Sequence, residues 1–295
     1  MRARVGIAVA LTAVASLALS SCSTESEASS ADSNQIIFAT PPGTDDVKEL
    51  AIMTDVADMV GTATGKTVKH ESPADYLGVV EAVRNGFVDI AVLSPFSAAL
   101  AFKTGSVEPI LAWNGAPDPA SYCLAKSDST IQSVTDIKGH QVAFVDPGST
   151  TGYFMPKAMM AEAGLADGTD YKSTFAGGHD SAVLALMNGN VDVACTARQL
   201  YTSFVAGGMF TADDVRIVGQ SAPIPVGVSI VARSGLDSET RDAIKDKLPA
   251  MLSANPEASK ILGVGGTYTA DPDFSVYEPL VTIAEAAGVD LDNIR

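Results

Sequence analysis

The sequence predicts an α/β protein made of two similar domains, each a mostly parallel sheet covered by helices on both faces. Three observations lead there. Short apolar, strand-like runs alternate with helical stretches from residue 36 to residue 287. A ten-residue unit, Ala82-Val83-Arg84-Asn85-Gly86-Phe87-Val88-Asp89-Ile90-Ala91, returns as Ala185-Leu186-Met187-Asn188-Gly189-Asn190-Val191-Asp192-Val193-Ala194, an offset of 103 positions. Each copy reads as a helix end, an Asn-Gly stop and a buried strand. Finally, the chain has 295 residues and is 46% hydrophobic, enough to fill the cores of two domains.

The elements follow in order. Ile36–Ala39 reads as a strand, and residues 46–64 as a helix with acids in its first turn, where the macrodipole favours them. A strand at Thr67–His70, a helix at Tyr76–Arg84 and a strand at Val88–Leu93 come next, then a short helix at Ser97–Phe102 and a strand at Val107–Trp113. Strands at Ser121–Ala125 and Gln141–Val145 flank a helical turn near Val134–Ile137. A helix starts at Tyr153, where Met155, Met159 and Met160 fall at core spacing. A strand follows at Ser173–Phe175, then a helix from Ser181, the strand Val191–Cys195 and a helix near Gln199–Val205. Val215–Val218 and Val228–Ala232 are strands, and helices near Ser238–Leu252, Glu257–Leu262 and Val276–Ala287 close the chain. Gly263-Val264-Gly265-Gly266 follows no strand, so it reads as a helix stop and turn.

The first 21 residues read as a targeting segment. Arg2 and Arg4 precede an apolar run, Val5–Leu19, too short to span a bilayer. Leu19-Ser20-Ser21-Cys22 resembles a bacterial lipobox, which makes Cys22 the lipidation site. Residues 22–34 read as a flexible Ser/Ala/Glu-rich tether. The expectation is an extracytoplasmic body anchored to the cell membrane by acyl chains on Cys22.

The full chain carries 19 basic and 35 acidic residues. Loss of residues 1–21 removes two arginines and no acid, leaving 17 basic residues against 35 and a net charge of −18. Such a surface excludes nucleic acid and anionic lipid as partners. Cys123 and Cys195 remain besides Cys22. An exported compartment permits a bridge between them, and two buried thiols are the alternative. The three histidines, His70, His140 and His179, show no metal-ligand spacing, and no cofactor motif stands out.

The most informative stretch is Asp146-Pro147-Gly148-Ser149-Thr150-Thr151-Gly152, placed just before a helix. Gly148 permits a close approach of backbone to a ligand. Ser149, Thr150 and Thr151 set three hydroxyls beside the unbonded N–H groups of a helix start, a place suited to a small tetrahedral anion. A Pro-Gly turn with a Ser/Thr N-cap is the plainer alternative. The repeat adds a second clue. Tyr76 corresponds to His179, and both precede the repeated helix, so facing domains would bring both to one cleft. A protonated His179 would give binding a pH dependence near its titration.

A lipobox with a polar tether, two repeated halves and an anion cradle together resemble the substrate-binding lipoproteins of ABC importers, and specifically the phosphate/phosphite/phosphonate-binding family. The carrying segments are Asp75-Tyr76, 86–91, 146–153, Gly177-Gly178-His179-Asp180 and 190–194. The resemblance implies a type II periplasmic-binding-protein fold with a ligand cleft between two domains. Domain 1 would be residues 35–120 plus 227–295 and domain 2 residues 121–226, joined by two crossing strands at Ser121–Ala125 and Val226–Ala232. It implies that Ser149, Thr150, Thr151 and His179 hold the phosphoryl oxygens while Tyr76 and Tyr122 line the other wall. It also implies a monomer without cofactor, serving an ABC permease and its ATPase.

Family members that bind an aminoalkyl phosphonate use acids in two regions that here read Cys195-Thr196-Ala197-Arg198-Gln199 and Ile224-Pro225-Val226-Gly227-Val228-Ser229, without an acid in either. A closed cleft does not tolerate an unpaired ammonium. Phosphite, phosphate or a small phosphonate such as methylphosphonate is therefore expected, and 2-aminoethylphosphonate is not. Arg198 stands either as a partner for the anion or as an exposed salt-bridging residue. The rival classes are an exported phosphoester hydrolase and a ligand sensor on the same fold. Gly148-Ser149-Thr150-Thr151-Gly152 lacks the spacing of a nucleophile elbow, so no enzyme is expected.

Overall fold

The computed structural model describes residues 34–42, 47–103, 105, 107–264 and 266–288. The leader, Cys22, the start of the first helix at Asp46 and Gly265 lie outside the described residues. The strands are β1 (Gln35–Ala39), β2 (Thr67–Glu71), β3 (Ile90–Leu93), β4 (Val107–Asn114), β5 (Ser121–Lys126), β6 (Gln141–Phe144), β7 (Lys172–Phe175), β8 (Val193–Ala197), β9 (Val215–Gln220), β10 (Val226–Arg233) and β11 (Tyr268–Ala270). The α-helices are α1 (Val47–Thr64), α2 (Tyr76–Arg84), α3 (Pro95–Lys103), α4 (Met155–Glu162), α5 (His179–Met187), α6 (Arg198–Ala206), α7 (Ser238–Ser253), α8 (Pro256–Leu262) and α9 (Glu278–Ala286).

Two sheets result. One has the order β11-β4-β10-β3-β1-β2, the other β7-β6-β8-β5-β9. In each, three parallel strands (β2-β1-β3 and β7-β6-β8) meet an antiparallel fourth, β10 in the first and β5 in the second. Side chains alternate between faces, as a pleat requires. Ile90 and Val92 of β3 enter the core under α1, α7 and α8, while Ala91 and Leu93 enter the core under α2, α3 and α9.

The repeated unit takes one geometry twice. α2 ends at Asn85 and α5 at Asn188. Gly86 and Gly189 follow, each at φ 74°, a left-handed conformation that costs other residues roughly 1–2 kcal/mol. The shared aspartates then reach the neighbouring strand. Asp89 accepts the N–H of Ile37 at 2.8 Å, and Asp192 accepts that of Gln141 at 2.9 Å. Their own N–H groups donate back to the same two residues. The aspartate thus ties the parallel pair in the same register in both copies.

Several expectations need correction. The helix expected from Tyr153 begins with a wider π turn at Thr150–Phe154 before α4. The strand expected at Val191–Cys195 lies at Val193–Ala197, because Asp192 is occupied in the edge contact just described. β11 was not foreseen. It is three exposed residues paired to the edge of β4, too short to show alternation. The chain passes between sheets at residues 115–120 and 221–225, not along β5 and β10, which are full members of the two sheets. The passing segments touch each other through Gly115 N–H to Pro225 O (3.3 Å) and Ala120 N–H to Ala222 O (3.3 Å). Gly263 ends α8 in a left-handed conformation, as a helix stop should. Cys123 and Cys195 face each other across β5 and β8 and form a disulfide.

Candidate functional site

In sheets of this kind helices begin at the carboxyl ends of strands, and ligands gather there. Five such starts line one cavity of about 240 Å³: Tyr76 of α2, Pro95 of α3, Thr150 of the π turn, His179 of α5 and Arg198 of α6. Such a start carries about half a positive charge, although the first N–H groups of α2 and α3 are already taken, Tyr76 by Asp146, Gly78 by Asp75, Phe96 by Thr150 and Ser97 by Ser94. The N-cap positions of α5 and α6 are Gly178 and Ala197, and neither offers a side-chain cap bond. In the first turns, the Ser181 N–H of α5 donates to Asp180 Oδ1 at 2.8 Å and the Arg198 N–H of α6 to the Ala120 carbonyl at 3.1 Å.

The Ser-Thr turn is held from both halves. Ser149, itself the cap of the π turn, accepts the Gly152 N–H at 3.1 Å. Thr150 Oγ1 accepts the Phe96 N–H at 2.8 Å, capping α3 from across the cleft. Both hydroxyls are buried, and both keep their own hydrogen to donate. Ser94 and Ser97 donate to the Gly148 carbonyl at 3.0 and 2.9 Å. Phe96 stacks on Phe154 with ring centroids 4.3 Å apart. The close approach that Gly148 permits is therefore to protein: a Cβ there would sit 2.7 Å from Tyr76 Cβ. Asp146 accepts the Gly148 N–H at 2.7 Å and the Tyr76 N–H, and burial raises its carboxyl above the usual range.

His179 is buried. Its Nδ1 accepts the Ala197 N–H at 3.2 Å and lies 3.0 Å from the Thr196 hydroxyl. An Nδ1 that accepts a backbone N–H carries no proton, so the ring hydrogen sits on Nε2. Burial pushes the pKa down to about 4, against a small opposing effect of Asp180. The ring is neutral at physiological pH, and the imidazolium expected as a possibility from the sequence is not the form present. No hydrogen bond joins His179 to Ser149, the arrangement a serine nucleophile would need.

The structure brings Tyr76, Ser149, Thr150, Thr151 and His179 to the cavity lining. Tyr122 is not among the lining residues. Its ring meets Tyr201 edge-on at 5.7 Å and packs against the core under α5 and α6. Arg198 lines the cavity, but its guanidinium is bound to Asp118 (3.0 Å) and to the Pro119 carbonyl (3.0 Å). Asp118 is an acid at the cavity that lies outside residues 195–199 and 224–229, and Arg198 offsets its charge. Ser94 was missed as well. The 103-residue offset pairs it with Ala197, next to His179 in space, and that signal would have found it. No group of His, Cys, Asp and Glu suited to a metal ion occurs among the described residues.

The model of a family described as the periplasmic substrate-binding protein of the phosphonate ABC transporter matches residues 38–272. A phosphate-import protein of Mycolicibacterium smegmatis is 39% identical over 147 residues, which is 45% of this chain and 46% of that protein. A phosphonates-binding periplasmic protein of Escherichia coli is 28% identical over 179 residues, 58% of this chain and 53% of its own length. The chain thus spans about half the length of the curated relatives it matches. Among solved structures, the binding protein component of an ABC phosphonate transporter from Pseudomonas aeruginosa superposes with a TM-score of 0.74, at 24% identity and 86% coverage of each chain. A Prochlorococcus marinus protein in complex with methylphosphonate gives a TM-score of 0.70 at 15% identity, covering 87% of this chain and 99% of that one. At these identities the structural likeness establishes the two-domain type II fold alone.

Proposed function

Because the chain belongs to the family of periplasmic substrate-binding proteins of phosphonate ABC transporters, we propose that it is the extracytoplasmic solute-binding component of an importer, taking up a small phosphorus oxyanion. Phosphite, phosphate and methylphosphonate are the ligands favoured. Residues 35–120 with 227–295 form one domain and 121–226 the other. The segments 115–120 and 221–225 act as the hinge, and closure of the cleft excludes water around the ligand. The closed form is what the permease and its ATPase read. Lipid on Cys22 holds the monomer at the outer face of the membrane.

One observation carries this: five helix starts, two buried hydroxyls and a neutral imidazole surround a single cavity in which Arg198, the one permanent cation among the described lining residues, is already paired. Neutral donors on a rigid frame suit a phosphorus oxyanion, because they bind without a lysine or arginine that any anion would attract. The net charge of −16 on the whole chain repels anions at long range, so the local donors supply the grip. A thermal-shift panel tests it, since a ligand that binds only the native state raises the melting point. Phosphite, phosphate or methylphosphonate is expected to raise it, with sulfate and 2-aminoethylphosphonate weaker. A panel in which no phosphorus oxyanion shifts the melting point contradicts the proposal.

A further inference from the structure

We propose that the 146–150 turn has two working faces, one that holds the anion and one that catches the six-stranded half when the cleft closes, and that Gly148 and Ser97 set the affinity through this catch without touching the ligand. This rests on the closure reading above. Polar bonds cross between the halves at this turn. The Ser94 and Ser97 hydroxyls donate to the Gly148 carbonyl at 3.0 and 2.9 Å, the Phe96 N–H donates to Thr150 Oγ1 at 2.8 Å, and the Tyr76 N–H donates to Asp146. Phe154 stacks on Phe96 beside them. Every donor and acceptor in this set is a protein group, so a phosphonate is no part of the catch. Neither Gly148 nor Ser97 is among the residues lining the cavity, whereas Ser149, Thr150 and Thr151 are.

Gly148 ties the fit to the closed form. Its backbone lies outside the left-handed region, so the missing side chain answers to space and not to conformation. A Cβ there would sit 2.7 Å from Tyr76 Cβ and 3.2 Å from Ser97 Oγ, both on the six-stranded half, and 3.3 Å from Asp146 Oδ1 in its own turn. The approach to Tyr76 is closer than carbon atoms allow, while the contact inside the turn is relieved by a shift of a few tenths of an ångström. Alanine at 148 is therefore tolerated with the halves apart and forbidden with them together. Ser97 is buried, and its hydroxyl loses its acceptor when the halves part. The ligand and the six-stranded half thus hold one short turn from opposite sides. Fixing the turn for one favours the other, and apparent affinity scales with the fraction of molecules in the closed form.

Calorimetric titration with methylphosphonate, together with amide hydrogen exchange, tests the inference in Ser97→Ala and Gly148→Ala. Loss of the Ser97 bond should weaken binding about fivefold, the size of one net hydrogen bond. The wedge in Gly148→Ala should weaken it by about tenfold or more, since it excludes the closed form. The Tyr76 and Phe96 amides of Gly148→Ala should exchange about tenfold faster than in the parent, with or without methylphosphonate, because their acceptors lie across the cleft. The Gly152 amide, which donates to Ser149 Oγ inside the turn at 3.1 Å, should keep its rate. Faster exchange at Gly152 as well would mean that the turn itself has lost its fold, which overturns Gly148 as a closure residue. Parent affinity in both variants overturns the catch, and so do equal Tyr76 and Phe96 exchange rates in the parent and Gly148→Ala. A parent that does not bind methylphosphonate contradicts the phosphonate reading instead, and the exchange rates then still decide the catch.

Discussion

The six-stranded and five-stranded halves share strand order, strand direction and helix placement, yet face the cavity with different chemistry. Asn85 and Asn188 end matching helices, Gly86 and Gly189 take the same left-handed turn, and Asp89 and Asp192 bond matching strand edges. These positions answer to backbone demands, so both copies meet them with the same residues. The positions that look into the cleft answer to no such demand, and there the halves differ. Tyr76 stands opposite His179 in the repeat, and Ser94 opposite Ala197. The five-stranded half gathers the Ser149, Thr150 and Thr151 turn and a buried imidazole, while the six-stranded half offers Met53, Val92 and Val228. One half lines the cavity with hydroxyls and an imidazole, the other with these apolar side chains.

The largest effect that would sharpen this contrast is in the five-stranded half, which alone carries a disulfide. The Cys123–Cys195 bond closes a loop of 72 residues. Replacing both by serine should cost about 4 kcal/mol of unfolding free energy in the chain-entropy account. Urea unfolding reads it, and an unshifted midpoint would remove the disulfide as a source of stability.

Acid stability comes next. The folded-state pKa of His179, about 4, lies below its ordinary value of 6.5. The folded protein therefore binds fewer protons than the unfolded chain between these values. His179 contributes stability fully present above pH 6.5 and lost as pH falls toward 4, roughly 3 kcal/mol in all. His179→Asn should melt with a shallower loss between pH 7 and pH 4.5 than the parent. Equal slopes would mean that the ring is not buried neutral. Between pH 6 and 8 the same substitution should leave the shape of the binding-pH profile unaltered.

Ser149→Ala with Thr150→Ala should weaken methylphosphonate binding by at least about 2 kcal/mol, or some 30-fold, because hydrogen bonds to charged groups are worth roughly 1.5–3 kcal/mol each. Unchanged calorimetric affinity would move the grip to the other half. The smallest effects should be the matched ones. Asp89→Ala and Asp192→Ala each remove one strand-edge bond, about 1 kcal/mol. Asp89→Ala should cost more, since that carboxylate also binds the guanidinium of Arg233 at 2.7 Å, whereas the second partner of Asp192 is the His140 ring at 3.2 Å. Loss of stability in only one of the two variants would break the equivalence of the copies.

Much of the fold is legible in the chain because the repeat and the alternation of strands with helices are local signals. The span of α2 and the helix stop at Gly263 both follow from short-range patterns. The π turn at Thr150–Phe154 does not, and its last residue, Phe154, stacks on Phe96, a partner far off in the sequence. Within the site, the hydroxyl turn and His179 are marked by glycines and helix starts. Asp118 carries no such mark, Ser94 shows only through the repeat offset, and Ser97 is marked only as a helix start. They matter through contacts with Gly148 and Arg198 that only the folded chain creates. Nor does composition tell that Arg198 is paired or that His179 is neutral, since both follow from burial and neighbours.

A crystal structure of the protein grown with methylphosphonate tests the central claim most directly. The phosphonate oxygens are expected on the Thr150 and Thr151 amides, on the Ser149, Thr150 and Thr151 hydroxyls and on His179 Nε2, with Arg198 still bound to Asp118. Oxygens resting on the Arg198 guanidinium, with the 149–151 turn uninvolved, would contradict it.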